Sequence, residues 1–323
     1  MEWCTTRDGG ESRTARAGGG RLRIRCERRA PGIAAMSAEK PLDPAGEPRD
    51  IAAAMLLDYA HDELCVAIAC LGWRGARLHG GVHQARKSIR RVRATLALGA
   101  PALGAGARLL DRELRRVNDR LSTLRDAHAL VVALTALVQD TVDPRDRALL
   151  RRVQRAAAAH RAEHTREQLM AEPALDDTRA LLRVLLAALP ALAWSALAGI
   201  DVAIEASRAD VASAGARAAS TGTDENWHRW RRRARRLSQQ QRALGSGEGR
   251  DAAERRARKI AIALGKAQDF SLIAEYCGKR SPFAREDRRR LRSIARTRLE
   301  TLRKEIAGAA VRRAVVALED AKD

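Results

Sequence analysis

Aromatic side chains are scarce in this sequence: five Trp, two Tyr and two Phe among 323 residues. With no alternating polar–apolar run either, that shortage argues against β-sandwiches and barrels, whose pleated surfaces want aromatic and β-branched residues. Cysteines are few and odd in number (Cys4, Cys26, Cys65, Cys70 and Cys277), and no C-x-x-C step occurs. This excludes a disulfide framework and a thiolate zinc site, and fits free thiols in a reducing compartment. Residues 1–35 are rich in Arg and Gly and hold no apolar segment, so no secretory signal is expected. Long apolar runs are missing too. The most apolar stretch, Val184–Ile200, is interrupted by Pro190 and bounded by Arg183 and Asp201, and reads as two buried helix ends around a turn. A cytoplasmic protein with no membrane partner is expected.

What the chain has in excess is positive charge. Its formal net charge is +21 and its pI about 11.1. Residues 1–48 hold nine basic and seven acidic side chains, which leaves +19 on residues 49–323. The positive field therefore belongs to the folded body. Such a field implies a polyanionic partner: nucleic acid, an anionic membrane or a phosphate polymer.

Prolines at 31, 41, 44 and 48 and the GlyGlyGly at 18–20 mark residues 1–48 as a disordered extension, with Met36 as an alternative start. From Ile51 onward the apolar spacing predicts helices at 50–71, 81–98, 106–123, 127–140, 145–171, 177–189, 199–219, 224–243, 250–264, 270–278 and 284–319. The breaks fall at Gly80-Gly81, Pro101, Asp143-Pro144, Pro173, Pro190, Ser220–Gly222, Gly245–Gly249 and Ser281-Pro282. The expected class is all-α, built from helical bundles.

An internal repeat organises this pattern. HQARKSIRR at 83–91 and HRWRRRARR at 228–236 both carry basic residues three, four, seven and eight positions after His. LSTLRDAHAL at 121–130 and LGKAQDFSLI at 264–273 follow them at similar distances. The expectation is a duplicated unit: a first bundle at 49–196 and a second at 197–323, pseudo-symmetric, with a basic cleft or pore between them.

On a helix at about 100° per residue, Arg86, Lys87, Arg90, Arg91 and Arg93 all fall within about 80° of His83. Val82, Ala85, Ile89, Val92 and Leu96 occupy the opposite side. His228, Arg231, Arg232, Arg235 and Arg236 repeat this geometry, with Trp227, Trp230, Ala234 and Leu237 opposed. Neither basic stripe contains an acid. Solvated helix faces usually mix signs, because like charges one turn apart cost a few tenths of a kcal/mol. Guanidiniums on successive turns suit phosphate oxygens, which they bind bidentately. The matched histidines add one hydrogen bond each, and a neighbouring anion would draw them toward the charged form. Asp126 and Asp269 read as structural, either capping the helix that follows or orienting a motif arginine.

VHQARKSIRRVRATL at 82–96 resembles the first signature of the CHAD family, the conserved histidine α-helical domain, on His83, Arg86, Arg90, Arg91 and Arg93. Leu124-Arg125-Asp126 is similar to the family's Arg-Asp step, WHRWRRRARRL at 227–237 to its second signature, and LGKAQDF at 264–270 to its Leu-Gly-x-x-Asn-Asp segment. The resemblance spans roughly residues 50–320. It implies two pseudo-symmetric helical bundles around a basic cleft that binds inorganic polyphosphate, in bacterial polyphosphate metabolism or at polyphosphate granules and their proteins. Three positions depart from the pattern: Ser238-Gln239 replaces Arg-Tyr, and Gln268 replaces Asn. The second half is therefore expected to bind more weakly.

Two other classes stay open. A nucleic-acid-binding helical protein would use the same charge, but no stacking aromatic lies on the basic faces. An enzyme of polyphosphate or nucleotide turnover would need carboxylates beside them, and the motifs hold none. His160 and His164 spell H-x-x-E-H with Glu163, on a solvated Ala-rich helix where chance placement explains the pattern. The sequence is read as non-catalytic, without metal or cofactor.

Overall fold

The chain is all-α in a computed structural model that describes residues 48–172, 175–245, 250–279 and 281–319. The extension expected over residues 1–48 lies outside the described residues apart from Pro48, and the Pro173 break lies outside them too. Among the described residues ten α-helices run in order: α1 (Pro48–Leu71), α2 (Leu78–Leu98), α3 (Ala100–Arg120), α4 (Ser122–Gln139), α5 (Pro144–Ala171), α6 (Asp176–Ala188), α7 (Ile200–Thr221), α8 (Asp224–Ala243), α9 (Arg250–Tyr276) and α10 (Arg285–Glu319).

Local chemistry sets the helix ends. Asp143 accepts the amide of Asp146 at 2.8 Å and Pro144 fills the first turn of α5, where no N–H is missed. Thr223 caps α8 in the same way, directly after Gly222 closes α7 at φ 65°, a left-handed conformation that suits glycine. Three expected helix boundaries differ. Pro101, expected in a gap before a helix at 106–123, opens α3, and a kink sits at Gly104. Gly80-Gly81 lies inside α2: a Cβ on Gly81 would meet the Cys70 carbonyl oxygen at 2.2 Å, so Gly81 serves close packing on α1, while a Cβ on Gly80 would meet nothing. The segments expected at 250–264 and 270–278 form one helix, because Leu264, Ala267 and Ile273 continue the buried stripe without a proline between them.

Packing brings the two sequence repeats together. α1 lies along α2, α7 along α8, and α9 between α8 and α10, while α4 lies on α5. α2 packs against α8 and α4 against α9. The larger apolar core draws on α1, α2, α3, the start of α4 at Leu124, α6, α7, α8, α9 and α10, and the smaller one on the rest of α4 with α5, α9 and α10. Both cores thus take residues from either side of position 196. No single helix among the described residues is long and apolar enough to cross a membrane; α3 and α4 meet that condition of length and composition only as a pair, bent by 53°. The Val184–Ile200 stretch ends α6 and passes through two short 3₁₀ turns before α7, with Leu185, Leu189, Trp194 and Leu197 buried.

Candidate functional site

α2 and α8 are amphipathic in the expected sense. Val82, Ala85, Ile89, Val92 and Leu96 are buried, as are Trp227, Trp230, Ala234 and Leu237. Each fully buried Val, Leu or Ile side chain contributes about 1.5–3 kcal/mol, enough to fix the rotation of both helices. Because the two helices pack on each other, their basic stripes meet, at Arg86 and Arg90 from α2 and Arg231 and Arg235 from α8. α4 adds Arg125.

The centre of this cluster is electrostatically unfavourable. Burial pulls Arg90 well below the ordinary guanidinium range, and Arg235, Arg86, Arg231 and Arg125 pull it further. Arg235 is lowered by burial and then by Arg231, Arg86, Arg232 and Arg93. Two carboxylates stand nearby, Asp126 on α4 and Asp269 on α9. Burial raises both; Arg86, Arg125, Arg231 and Arg90 act against that at Asp126, and Arg231 and Arg125 at Asp269. Five guanidiniums thus share two carboxylates. Three of their N–H groups, Arg86 Nε, Arg90 Nε and Arg125 Nη1, are buried with no hydrogen-bond partner in the protein.

His83 lies beside this centre, exposed in part, with its ring set among the surrounding side chains. Burial, followed by the charges of Arg125, Arg90, Lys87 and His128, holds its imidazole down at about 4, so it is neutral at pH 7 in the free protein. His228 shares a small surface cleft with Arg231, Leu264, Ala267, Gln268 and Ser271, which joins the α8 motif to the α9 motif.

A family model described as the CHAD domain matches residues 65–277. The chain belongs to the CHAD family. A solved structure, the CHAD domain from the plant Ricinus communis, has the same fold, with 17% sequence identity and a TM-score of 0.55; the match covers 85% of this chain and 97% of that one. Among curated proteins, none is similar enough to be matched.

Within this CHAD domain not every basic residue of the two stripes reaches the cluster. Arg91 departs from the expected role: its Nη1 donates to Glu63 Oε1 of α1 at 2.6 Å, and both side chains are about nine-tenths buried. At about 80° from His83 it has rotated past the stripe's edge and into the α1–α2 interface. Arg93 holds Asp111 of α3 through two hydrogen bonds of 2.8 and 3.2 Å, with a quarter of its side chain exposed. Arg236 lies near Arg93, Arg233, Asp111 and Asp210. Lys87 faces Arg91, Arg242, Arg258 and Glu63, at the margin of the cluster. Arg232 is exposed and acts on Arg235. Arg86 is partly structural, donating through Nη1 to the Asn118 carbonyl oxygen.

Two further expectations need correction. Asp126 lies in the second turn of α4 and Asp269 deep inside α9, so neither caps a helix. Nor are the basic helices free of neighbouring acids, because α4 and α9 place these two carboxylates against them. The residue that sequence reasoning left out of the site is Arg125. Its signal was available in the aligned repeats, where Arg125-Asp126 matches Gln268-Asp269. His160 and His164 contact each other edge-on at 4.2 Å, His164 reaches Glu167 at 3.2 Å, and no group of three or more metal-ligating side chains exists among the described residues.

Proposed function

We propose that this CHAD domain binds inorganic polyphosphate in the cleft between α2, α4 and α8, without catalysing its turnover. The observation that carries this reading is the set of buried, unpartnered N–H groups on Arg86, Arg90 and Arg125, in a cluster of five guanidiniums. Leaving a buried charged donor unsatisfied costs about 1–3 kcal/mol or more. A chain of phosphates offers acceptors at the spacing of successive helix turns and neutralises the mutual repulsion of the cluster. Arg86, Arg90, Arg125, Arg231 and Arg235 make the central contacts. His83, Lys87, His228 and Arg232 stand at the margins, Arg93 and Arg236 extend the basic surface toward α3, and Asp126 and Asp269 orient the arginines. The family membership supports the same ligand. Duplicated, pseudo-symmetric halves are part of the proposal, as are a cytoplasmic setting and association with polyphosphate granules.

Two features favour this over the alternatives. Trp227 and Trp230 are buried behind the basic face, so no aromatic platform is offered to nucleic-acid bases. Asp126 and Asp269 are each bracketed by arginines, an arrangement that suits neutralising charge rather than holding a divalent cation for phosphoryl transfer. The test is a competition between long-chain polyphosphate and duplex DNA at matched charge, with a phosphate-release assay in Mg²⁺, Mn²⁺ and Zn²⁺. Preference for polyphosphate without phosphate release supports the proposal. Equal competition by DNA favours the nucleic-acid reading, and metal-dependent release lost in the Asp126→Asn/Asp269→Asn pair establishes an enzyme.

A further inference from the structure

Beyond the arginine cluster, on the side of His83, α2, α4 and α5 bring together a second group that no signature contains. The rings of His79 and His128 stack at 5.0 Å with an interplanar angle of 4°. Arg161 of α5 places Nη1 3.5 Å from His128 Nδ1. Thr165 Oγ1 lies 3.4 Å from His79 Nε2 and 2.7 Å from the Arg161 carbonyl oxygen.

These contacts fix the tautomers. The single hydroxyl proton of Thr165 goes to the Arg161 carbonyl, so His79 Nε2–H donates to Thr165 Oγ1. His79 Nδ1 therefore carries a lone pair, and that atom is buried with no partner in the protein. His128 Nδ1 accepts from Arg161 and carries a lone pair as well. Both imidazoles are neutral in the free protein. Burial lowers the two groups, followed by Arg161 at His79 and by His79, Arg161 and Arg125 at His128, which is held at about 4. α2 adds His83 next to His128. α9, packed on α4, directs Tyr276 against His160 of α5. Every charge acting on the stacked pair is thus positive or neutral.

We infer that His79, His128 and Arg161 form an outer anion subsite, continuous with the cleft through Arg125 and His83, that takes a proton from water when a phosphate chain reaches it. The inference rests on the proposed polyphosphate function and deepens it. A phosphate beside the stack supplies the negative charge that the pair lacks, and the bare Nδ1 of His79, once protonated, becomes a donor. The imidazole gains an N–H bond, water or the buffer acid loses the corresponding bond to hydrogen, and no other covalent bond changes. A ligand too short to leave the arginine cluster does not engage the subsite, so the site discriminates by chain length.

Calorimetric titrations with tripolyphosphate and with long-chain polyphosphate, near pH 6 in two buffers of different ionisation enthalpy, test this. The wild type should take up more protons with the long chain than with tripolyphosphate. Arg161→Gln should weaken long-chain binding about tenfold, the effect of one charge-assisted hydrogen bond, and leave tripolyphosphate within about twofold. His79→Gln/His128→Gln should abolish the excess proton uptake, and Arg161→Lys should keep much of the chain-length preference. Thermal melts control for folding. Unchanged long-chain binding and proton uptake in the variants overturn the subsite while polyphosphate binding stands, and an equal loss for both ligands overturns it as well. Failure of the wild type to bind either ligand overturns the function and the subsite together.

Discussion

Arg90 of α2 feels the charge of Arg235 on α8 more strongly than that of any other residue, although the two are 145 positions apart and of the same sign. Both guanidiniums are largely removed from water, and no carboxylate is among the principal charges acting on either. A fold does not gain from such a contact by itself; it gains when an anion occupies the space between.

Stability and function should therefore trade off at Arg90. Replacing an uncompensated buried charge by an apolar side chain of similar size is neutral or stabilising, by about 1–4 kcal/mol in known ion clusters. Arg90→Met should raise the melting temperature of the free protein and weaken polyphosphate binding by about 1.5–3 kcal/mol. Paired thermal melts and titrations check both signs; a lower melting temperature would mean that Arg90 supports the fold.

Arg91 should behave in the opposite way. Removing one partner of a buried ion pair costs about 3–5 kcal/mol. Glu63→Gln or Arg91→Leu should destabilise the chain strongly in denaturant melts, and the folded fraction should bind polyphosphate with near-normal affinity.

The contrast between these adjacent arginines shows how far the sequence could be read. Helical periodicity made the all-α class, the buried stripes of α2 and α8 and the paired basic faces legible, because those depend on local spacing. It did not reveal that Arg91 turns toward Glu63, since Glu63 is 28 residues away on a helix whose rotation no local pattern specifies. Asp126 and Asp269 were legible as motif members with either a capping or an arginine-orienting role, yet their neighbours come from other helices, so spacing alone could not exclude the capping alternative. Gly80-Gly81 reads locally as a helix break, and only the proximity of Cys70 explains Gly81 as a packing contact.

His83 sets a pH dependence. Its imidazole is neutral at pH 7 because its pKa in the free protein is about 4. An adjacent phosphate raises that value, so binding takes up a proton and affinity should increase as pH falls from 7 toward 5. Titrations of His83→Gln over this range should give a shallower slope than the wild type, and an affinity that falls with decreasing pH would reverse the assignment.

The halves should contribute unequally. Arg125 stands where the second repeat has Gln268, and Arg93 where it has Ser238. Arg86→Ala/Arg90→Ala should lose more affinity than Arg231→Ala/Arg235→Ala, and Arg125→Gln should cost more than Gln268→Ala. Circular dichroism separates these losses from unfolding, with a modest stability cost expected at Arg86 from its bond to Asn118.

The most direct measurement is the affinity for long-chain polyphosphate as a function of salt. If about eight cationic side chains of the cleft each displace a counterion, binding should weaken by about 10³–10⁵ between 50 and 200 mM salt, as for a protein making that many phosphate contacts on DNA. The slope should shrink in the Arg86→Ala/Arg90→Ala variant. A flat salt response in the wild type, or a slope unaltered by that variant, would contradict the assignment of this arginine cluster as the polyphosphate site.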